Sequence, residues 1–495
     1  MTTTDAAGAP GTECIDPDAR DPSPGYDRSS ALEPFFIVVV VLVGLAYGLR
    51  RIGDNSALLH IRTGIDMARG SGIPRADTYS FTAHGHAWVV QSWLAEMAYG
   101  WAVRLGGAHL LMLLQGALVA AVTLLMSLRA RAGSSLRTLA AATIAFGVLV
   151  EGISPRPLLV GLLCLALMVT ILERGWSPWW QVPVVWVWVN SHGSFPLGVA
   201  WLCLVGAGAA IDRREAPRRE LRHLGAFMVG LVVAAVNPLG PRLLAFPLAV
   251  RDKQVIFKTI VEWKSPNFQS ASGIVTLAFL TLAVVVLIRA RLGWADALPV
   301  AFFVAISLFA VRNLAPAAVV LAPALGRALR PDRGDGTPAD TTGRLRIGRR
   351  PVDRAFAVVL AVVGLGLVAY SFSAPAYDLH NYPVRLVTRA QAAGWFAAPH
   401  RVAEQDWVGD YVAARFGSHA RVFIDDRYDM YPVDVSQAYE ALLHGSPGSA
   451  AVLGRFDIDV VLWDDHQPLV QILQVAGWHQ IDQDGHWVLL QRPGT

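Results

Sequence analysis

Lysine is almost missing from this 495-residue sequence. It occurs only at Lys253, Lys258 and Lys264, so arginine supplies the other 39 of the 42 basic residues. That bias has no bearing on mechanism. Cysteine is equally scarce. Cys14 sits in a polar tail and Cys164 and Cys203 sit in apolar runs, which excludes a disulfide framework. Charge is thin: Asp, Glu, Lys and Arg together make up 16% of the chain, against about 25% in soluble domains. No cleavable signal peptide precedes the first apolar run, so that run itself is expected to direct insertion. Residues 1–31 are rich in Pro, Gly, Asp and Thr, lack an apolar face, and read as a disordered tail.

What fills the space is apolar. Hydrophobic residues make up 54% of the chain and the mean hydropathy is +0.42. Apolar runs fall near 33–50, 108–128, 138–153, 157–173, 180–190, 195–211, 224–236, 273–288, 297–311, 314–326 and 355–373. Many approach the roughly 20 residues that span a bilayer. The expectation is an α-helical multi-pass membrane protein with about eleven spans over residues 32–373. With the N-terminus in the cytoplasm, the inside loops are 129–137, 173–180, 212–223, 289–296 and the arginine-rich 327–354, and four of these five are plainly basic. Only Leu49-Arg50-Arg51 opposes this orientation.

The opposite face then receives the polar motifs. These are the long first loop 51–107, Ser154-Pro155-Arg156-Pro157, Asn190-Ser191-His192-Gly193, Asn237-Pro238, the 241–272 loop, Arg312-Asn313, and everything after residue 374. Ionisable groups close to a membrane are costly and often functional. A shared outer site is one reading; solvated loop residues are the other. Residues 87–105 read as an amphipathic, interfacial helix with Trp88, Trp93, Leu94, Met97, Trp101 and Val103 on its apolar side and Gln91 and Glu96 facing water or a pocket. Alternatively, this stretch merely leads into the next span.

From Tyr377 onward short apolar runs alternate with turns and charge. Strands are expected at 420–424, 458–463 and 486–491, and helices at 384–396, 407–416, 434–443 and 467–476. That alternation predicts a small extracytoplasmic α/β domain over 374–495. It carries no G-x-G-x-x-G or P-loop, so no nucleotide site is expected there, nor a nucleic-acid partner.

The candidate chemistry starts at the mouth of the first run, in GDNSALLHIRTG. Asp54 is able to act as a general base on an acceptor hydroxyl or to bind a divalent cation through oxygen. Arg62, Arg69 and Arg75 suit bidentate phosphate binding. His60 suits a phosphate hydrogen bond or a proton shuttle, and His192, beside Asn190, is placed to join it. The 241–272 loop gathers Arg251, Lys253, Lys258 and Lys264 around Glu262 and Trp263, a composition that attracts anionic head groups. For a single histidine or loop charge, a structural role is the competing explanation.

An outer loop after the first span carrying an acid and then H-x-R resembles the GT-C superfamily of membrane glycosyltransferases. The resemblance rests on His60-Ile61-Arg62, Gly64, Pro74-Arg75, Asp77, Ser80-Phe81, Trp88 and Trp93-Leu94. The same stretches resemble a broad set of bacterial multi-pass proteins. That likeness continues through Arg156-Pro157, Asn190 to Gly193, Glu262 to Pro266 and Asp425-Asp426-Arg427-Tyr428-Asp429-Met430-Tyr431. The layout is similar to the oligosaccharyltransferase catalytic subunit, and Gln405 to Tyr411 faintly resembles its tryptophan-rich acceptor motif. The sequence departs from the D-x-x-x-H-x-R pattern of that family. Ser56 stands four residues before His60, where the acid belongs, and Asp54 stands six before it.

The resemblance implies a sugar moved from a polyprenyl-phosphate donor to an envelope glycan, lipid or protein acceptor at the outer face of a bacterial inner membrane. It implies Asp54 as the base. Arg62, Arg75 and the basic 241–272 loop with Lys253 and Lys258 would hold the phosphate. His60, Asp77, Glu96 and His192 would orient sugar and acceptor, and Arg156, Asn190, Glu262, Trp263 and Arg312 would join the substrate-binding surface. Asp425, Arg427 and Asp429 would act from the C-terminal domain. The rival expectation, which the serine at position 56 favours, is a GT-C-shaped protein that binds or assembles lipid-linked glycans without catalysis. No cofactor is fixed beyond an optional divalent cation.

Overall fold

The computed structural model describes residues 32–253, 260–330 and 351–494. The tail before residue 32, Lys258, and most of the basic segment 327–354 lie outside the described residues.

Every apolar run read from the sequence falls in a helix. Among the described residues, five helices are long and apolar enough to cross a membrane: Trp93–Arg129, Ser135–Gly152, Pro196–Arg213, Ala271–Arg289 and Arg354–Phe372. The expected count of eleven is not met by this criterion. Glu33–Gly48, Leu158–Glu173, Gln181–Ser191, Arg218–Ala234, Trp294–Phe309 and Leu314–Ala328 are helices of 11 to 17 residues, short of the roughly 20 that a bilayer core asks for. Their buried faces form one continuous apolar core, with Leu165, Trp188, Phe227 and Leu321 at its centre.

Helix starts follow local chemistry. Asp54, Ser134 and Ser270 each have extended backbone and accept the amide of the third residue into the helix that follows, as good N-caps do. The Asp54 cap begins the Asn55–Asp66 helix. The helix expected over 87–105 begins later, at Trp93. Trp88 is instead held in a bridge whose amide donates to the Arg75 carbonyl at 2.9 Å. At Gly106 and Gly107 the Trp93–Arg129 helix breaks; Gly107 has φ +69°, which only glycine takes without strain. The segment before the break exposes Trp101 and Leu105 and buries Glu96, Tyr99 and Gly100.

That buried face crosses Asn55–Asp66 at backbone contact. A Cβ on Gly64 would lie 1.9 Å from the Glu96 carbonyl oxygen, and one on Gly100 would lie 2.0 Å from the Gly64 carbonyl oxygen. Two glycines are what allow the approach.

The C-terminal part contains a four-stranded sheet in the order β1-β2-β4-β3, with β1 Val402–Glu404, β2 Val460–Asp464, β3 His479–Asp484 and β4 Trp487–Gln491. β1 and β2 run parallel and the other two pairings are antiparallel. The four expected helices are present as Val384–Ala392, Asp406–Phe416, Val433–Leu443 and Pro468–Val475. Residues 420–424 are not a sheet strand. They are buried, but their backbone partners lie elsewhere: Val422 exchanges hydrogen bonds with Tyr79 and Phe81, and the amides of Phe423 and Ile424 donate to the Glu404 carboxylate. The C-terminal part also has no core of its own. Ile52, Leu58, Tyr79, Trp88 and Tyr99 from the first loop share one apolar cluster with Val408, Phe423, Tyr431, Val461 and Leu489.

Candidate functional site

The first loop and the C-terminal part are clamped together by one buried cation. Arg427 donates to both oxygens of Asp425, at 2.8 and 2.6 Å, and to Asp77 at 2.6 Å. Its guanidinium lies 4.4 Å from the Trp88 ring centre and 5.0 Å from that of Tyr79. Asp77 also accepts the Tyr79 and Ser80 amides and the Ser80 hydroxyl. Burial alone would depress the Arg427 guanidinium, but the Asp425 and Asp77 charges more than offset it and keep the cation firmly charged. Asp77 and Asp425 are thus committed to the clamp.

Beneath the clamp is a cavity of about 310 Å³ at the end of the helix bundle. It gathers His60, Glu96, Arg156, His192, Glu262, Trp263, Arg312, Arg427 and Asp429 from the expected set, together with Ser56, Gln91, Phe246 and Asp426. The glycine crossing positions the first pair. His60 is one helical turn before Gly64, and its Nδ1 lies 2.6 Å from Glu96 Oε1. Three buried polar atoms on lining residues have no partner among the described residues: Gln91 Nε2, Glu96 Oε2 and Arg427 Nη1. Buried polar atoms in native proteins are normally hydrogen-bonded, so this wall is chemically unfinished.

Asp54 lies on the far side of the cation wall, on a second cavity of about 730 Å³ that it shares with Arg50, Arg51, Gln115, Ser154 and Tyr370. Its carboxylate accepts Arg156 Nε at 2.8 and 2.9 Å, Ser154 Oγ at 2.7 Å and the Ala57 amide at 3.1 Å. Burial pushes its proton affinity up, but Arg156 and these hydrogen bonds win and hold the carboxyl below its usual range. Such a group is a poor proton acceptor. Arg156 bridges onward, donating to Glu262 as well.

On the cavity side Asp426 joins Glu96, Glu262 and Asp429. The Ser56 hydroxyl donates to Asp426 Oδ2, and Asn55 Nδ2 donates to Asp426 at 3.3 Å and to Asp410 at 3.0 Å. The Asp426 amide donates to Asp410 at 3.0 Å. Burial raises Asp426 most. Arg156 and the Ser56 hydrogen bond oppose that, Asp406 and Glu262 add to it, and the carboxyl is pushed up to about 7. Burial and the Asp426 charge push Asp410 well above the carboxylate range. Burial also raises Asp429 against the pull of Lys253 and Arg427.

Opposite these acids stand Arg312 and His192. Arg312 stacks 4.2 Å over Trp263. Among the described residues its guanidinium makes no hydrogen bond with a side chain or carbonyl, and burial, countered by Glu262, lowers it somewhat. His192 accepts the Ser194 amide on Nδ1 at 3.2 Å, which leaves the ring proton on Nε2. Burial, then Arg312 and His60, push its pKa down to about 3, so the ring is neutral.

Several expected residues are elsewhere. Arg62 pairs with Asp66 at 2.9 Å and does not line the cavity. Arg75 is exposed and donates to the Pro238 carbonyl at 3.2 Å. Asn190 is buried, accepting Trp93 Nε1 at 2.9 Å and donating to the Trp186 carbonyl at 2.8 Å. Lys253 donates to the backbone carbonyls of Asp429 and of Tyr431, the latter at 2.8 Å. It therefore shapes the rim of the site and does not line it. Asp426, Asp410 and Asn55 were missed by sequence reasoning. The available signal was the position of Asp426, between Asp425 and Arg427.

No family model matches the chain, and no curated protein matches it. Among solved structures it is similar to the oligosaccharyltransferase AglB of Archaeoglobus fulgidus in complex with an inhibitory peptide and a dolichol-phosphate. The identity is 12% over 88% of this chain and 70% of that one, with a TM-score of 0.47. It is similar in the same degree to the apo form of the Archaeoglobus fulgidus oligosaccharyltransferase, at 12% identity over 89% and 70% of the two chains and a TM-score of 0.47.

Proposed function

We propose that this chain is a membrane glycosyltransferase that moves a sugar from a polyprenyl-phosphate donor to a hydroxyl or amide of an envelope glycan, lipid or protein. The reading places the cavity at the outer face of a bacterial inner membrane, with the N-terminus cytoplasmic and the shorter apolar helices completing an eleven-span bundle. One observation carries it. A single cavity sets Arg156 and Arg312 against Asp426, a carboxylate whose proton affinity lies near neutrality.

In this reading Asp426 takes the proton of the acceptor group as it attacks the anomeric carbon. The bond from that carbon to the phosphate oxygen breaks, and the electron pair leaves with the phosphate. Arg312, free of hydrogen-bond partners among the described residues, and Arg156 stabilise the growing negative charge. His60, Glu96, Gln91 and His192 orient sugar and acceptor. Asp54 becomes a positioning residue that fixes Arg156. The acid that the glycosyltransferase pattern wants at position 56 is then supplied from the C-terminal part, on the hydroxyl of Ser56 itself.

The test uses the purified full chain in detergent with radiolabelled polyprenyl-phosphate sugars and a panel of acceptors. Transfer should fall by about 10²–10⁴ in Asp426→Asn, the range typical for losing a general base, with donor binding retained. Asp54→Asn should weaken donor binding through Arg156 and lower transfer less. Tight donor binding with no transfer by any of these proteins would instead establish a non-catalytic lipid-glycan binding protein.

A further inference from the structure

Outside the cavity, two turns of the C-terminal sheet bring two imidazoles and two carboxylates together. Asp464 ends β2, Asp465 and His466 follow it, and His486, in the β3–β4 hairpin turn, immediately precedes β4. Pairing of Asp464 with Trp487 fixes the two turns side by side, and the Asp465 amide donates to the His486 carbonyl at 2.8 Å. One donor atom each from Asp464, Asp465 and His466 falls within 4.8 Å of the others.

We propose that these four residues form a binding site for a divalent transition metal, zinc in particular. His466 Nδ1 lies 2.9 Å from Asp464 Oδ1 and 3.4 Å from Asp465 Oδ1, and His486 Nε2 lies 3.8 Å from Asp464 Oδ2. With zinc bonds of about 2.0–2.2 Å, neighbouring donors on a tetrahedral ion lie roughly 3.4 Å apart and on an octahedral ion roughly 3.0 Å apart. The two His466 separations lie near those edges, whereas His486, at 3.8 Å from the other Asp464 oxygen, stands outside that close group and would swing in to complete the site. The two ring centres are 5.6 Å apart, and both rings are exposed, so the site is open to solvent. Two imidazoles with two carboxylates are borderline donors suited to zinc over magnesium or calcium. The two carboxylates balance the ionic charge. Bound there, the metal joins the end of β2 to the β3–β4 hairpin.

The experiment uses the full chain in detergent, carrying an affinity tag without histidine and stripped with EDTA. Zinc is titrated calorimetrically, and cobalt(II) is followed by its visible absorption. Wild type and the control His444→Ala should bind one zinc per chain. His466→Ala and His486→Ala should each weaken binding at least tenfold, and Asp465→Asn, a conservative change at the surface, should weaken it less. Zinc should raise the melting temperature of wild type and leave that of the double histidine variant unchanged. Millimolar-only binding by wild type, or equal binding by the double histidine variant, would overturn the site.

Discussion

Replacing Asp426 with Asn removes its charge while keeping its shape. In the native protein the Asp426 carboxyl is raised from 3.8 to about 7, chiefly by burial. At about 1.36 kcal/mol per unit, three units correspond to roughly 4 kcal/mol. The sign follows from which state holds the proton. Below about pH 4 folded and unfolded chains both carry it. Between about 4 and 7 the unfolded chain releases it and the folded chain keeps it, so stability falls as pH rises; above about 7 the loss is complete. Asparagine does not titrate. The stability of Asp426→Asn relative to wild type should therefore shift in favour of the variant by roughly 4 kcal/mol between pH 4 and pH 8. Unfolding of the detergent-solubilised protein by added SDS, repeated across that range, reads the difference. Glu404 and Asp54 titrate in both proteins and drop out of it. Asp410 does not drop out: without the Asp426 charge it is raised less in the variant, which moves the difference in the same direction. A difference independent of pH, or one that moves toward wild type as pH rises, would refute a buried, proton-holding Asp426. The same titration predicts transfer activity that climbs through about pH 7 in wild type.

Arg427→Met leaves Asp77 and Asp425 buried without their cation, which should cost about 3–5 kcal/mol and show as a lower melting temperature with early proteolysis near residues 77–92. Arg427→Lys should rescue little, because one ammonium cannot serve both carboxylates in the same plane. Gly64→Ala forces a methyl onto the Glu96 carbonyl and should cost about 3 kcal/mol or more, with loss of donor binding as His60 and Glu96 separate. Arg312→Gln should weaken binding of a polyprenyl-phosphate sugar at least tenfold in a filter assay, whereas Arg75→Gln, on a residue outside the cavity, should leave it unchanged.

Much of this architecture was legible in composition. The eleven runs are continuously apolar, and the four C-terminal helices lie where short apolar stretches alternate with turns and charge. β1 and β3 were not legible. β1 is three residues long, and β3, His479–Asp484, is exposed or half-buried throughout, so neither leaves an alternating pattern. The opposite error occurred at 420–424, whose apolar residues read as a strand although a glutamate and the first loop take its amides. In the turn that follows, Asp425 pairs with Arg427, Arg427 reaches Asp77 and also lines the cavity, and Asp426 and Asp429 line it too. Glu96, Arg156, His192 and Arg312 were findable because each sits at or near a helix end, and His60 because it lies in the short polar stretch just after the first apolar run.

The shared core of the first loop and the C-terminal part has a consequence for synthesis. Asp77 meets Arg427 across 350 residues of chain, and Ser56 meets Asp426 across 370. While the intervening helices are made and inserted, Tyr79, Trp88 and the Asp77 carboxylate lack their partners from the C-terminal part. The loop must wait, open, for the last quarter of the polypeptide to reach it. Contacts this distant form slowly and leave apolar surface exposed in the meantime. The cavity is therefore completed late. A ribosome that stalls before residue 425 yields a chain with neither Arg427 nor Asp426 to close it. Such a chain is marked for quality control by the apolar surface it cannot cover.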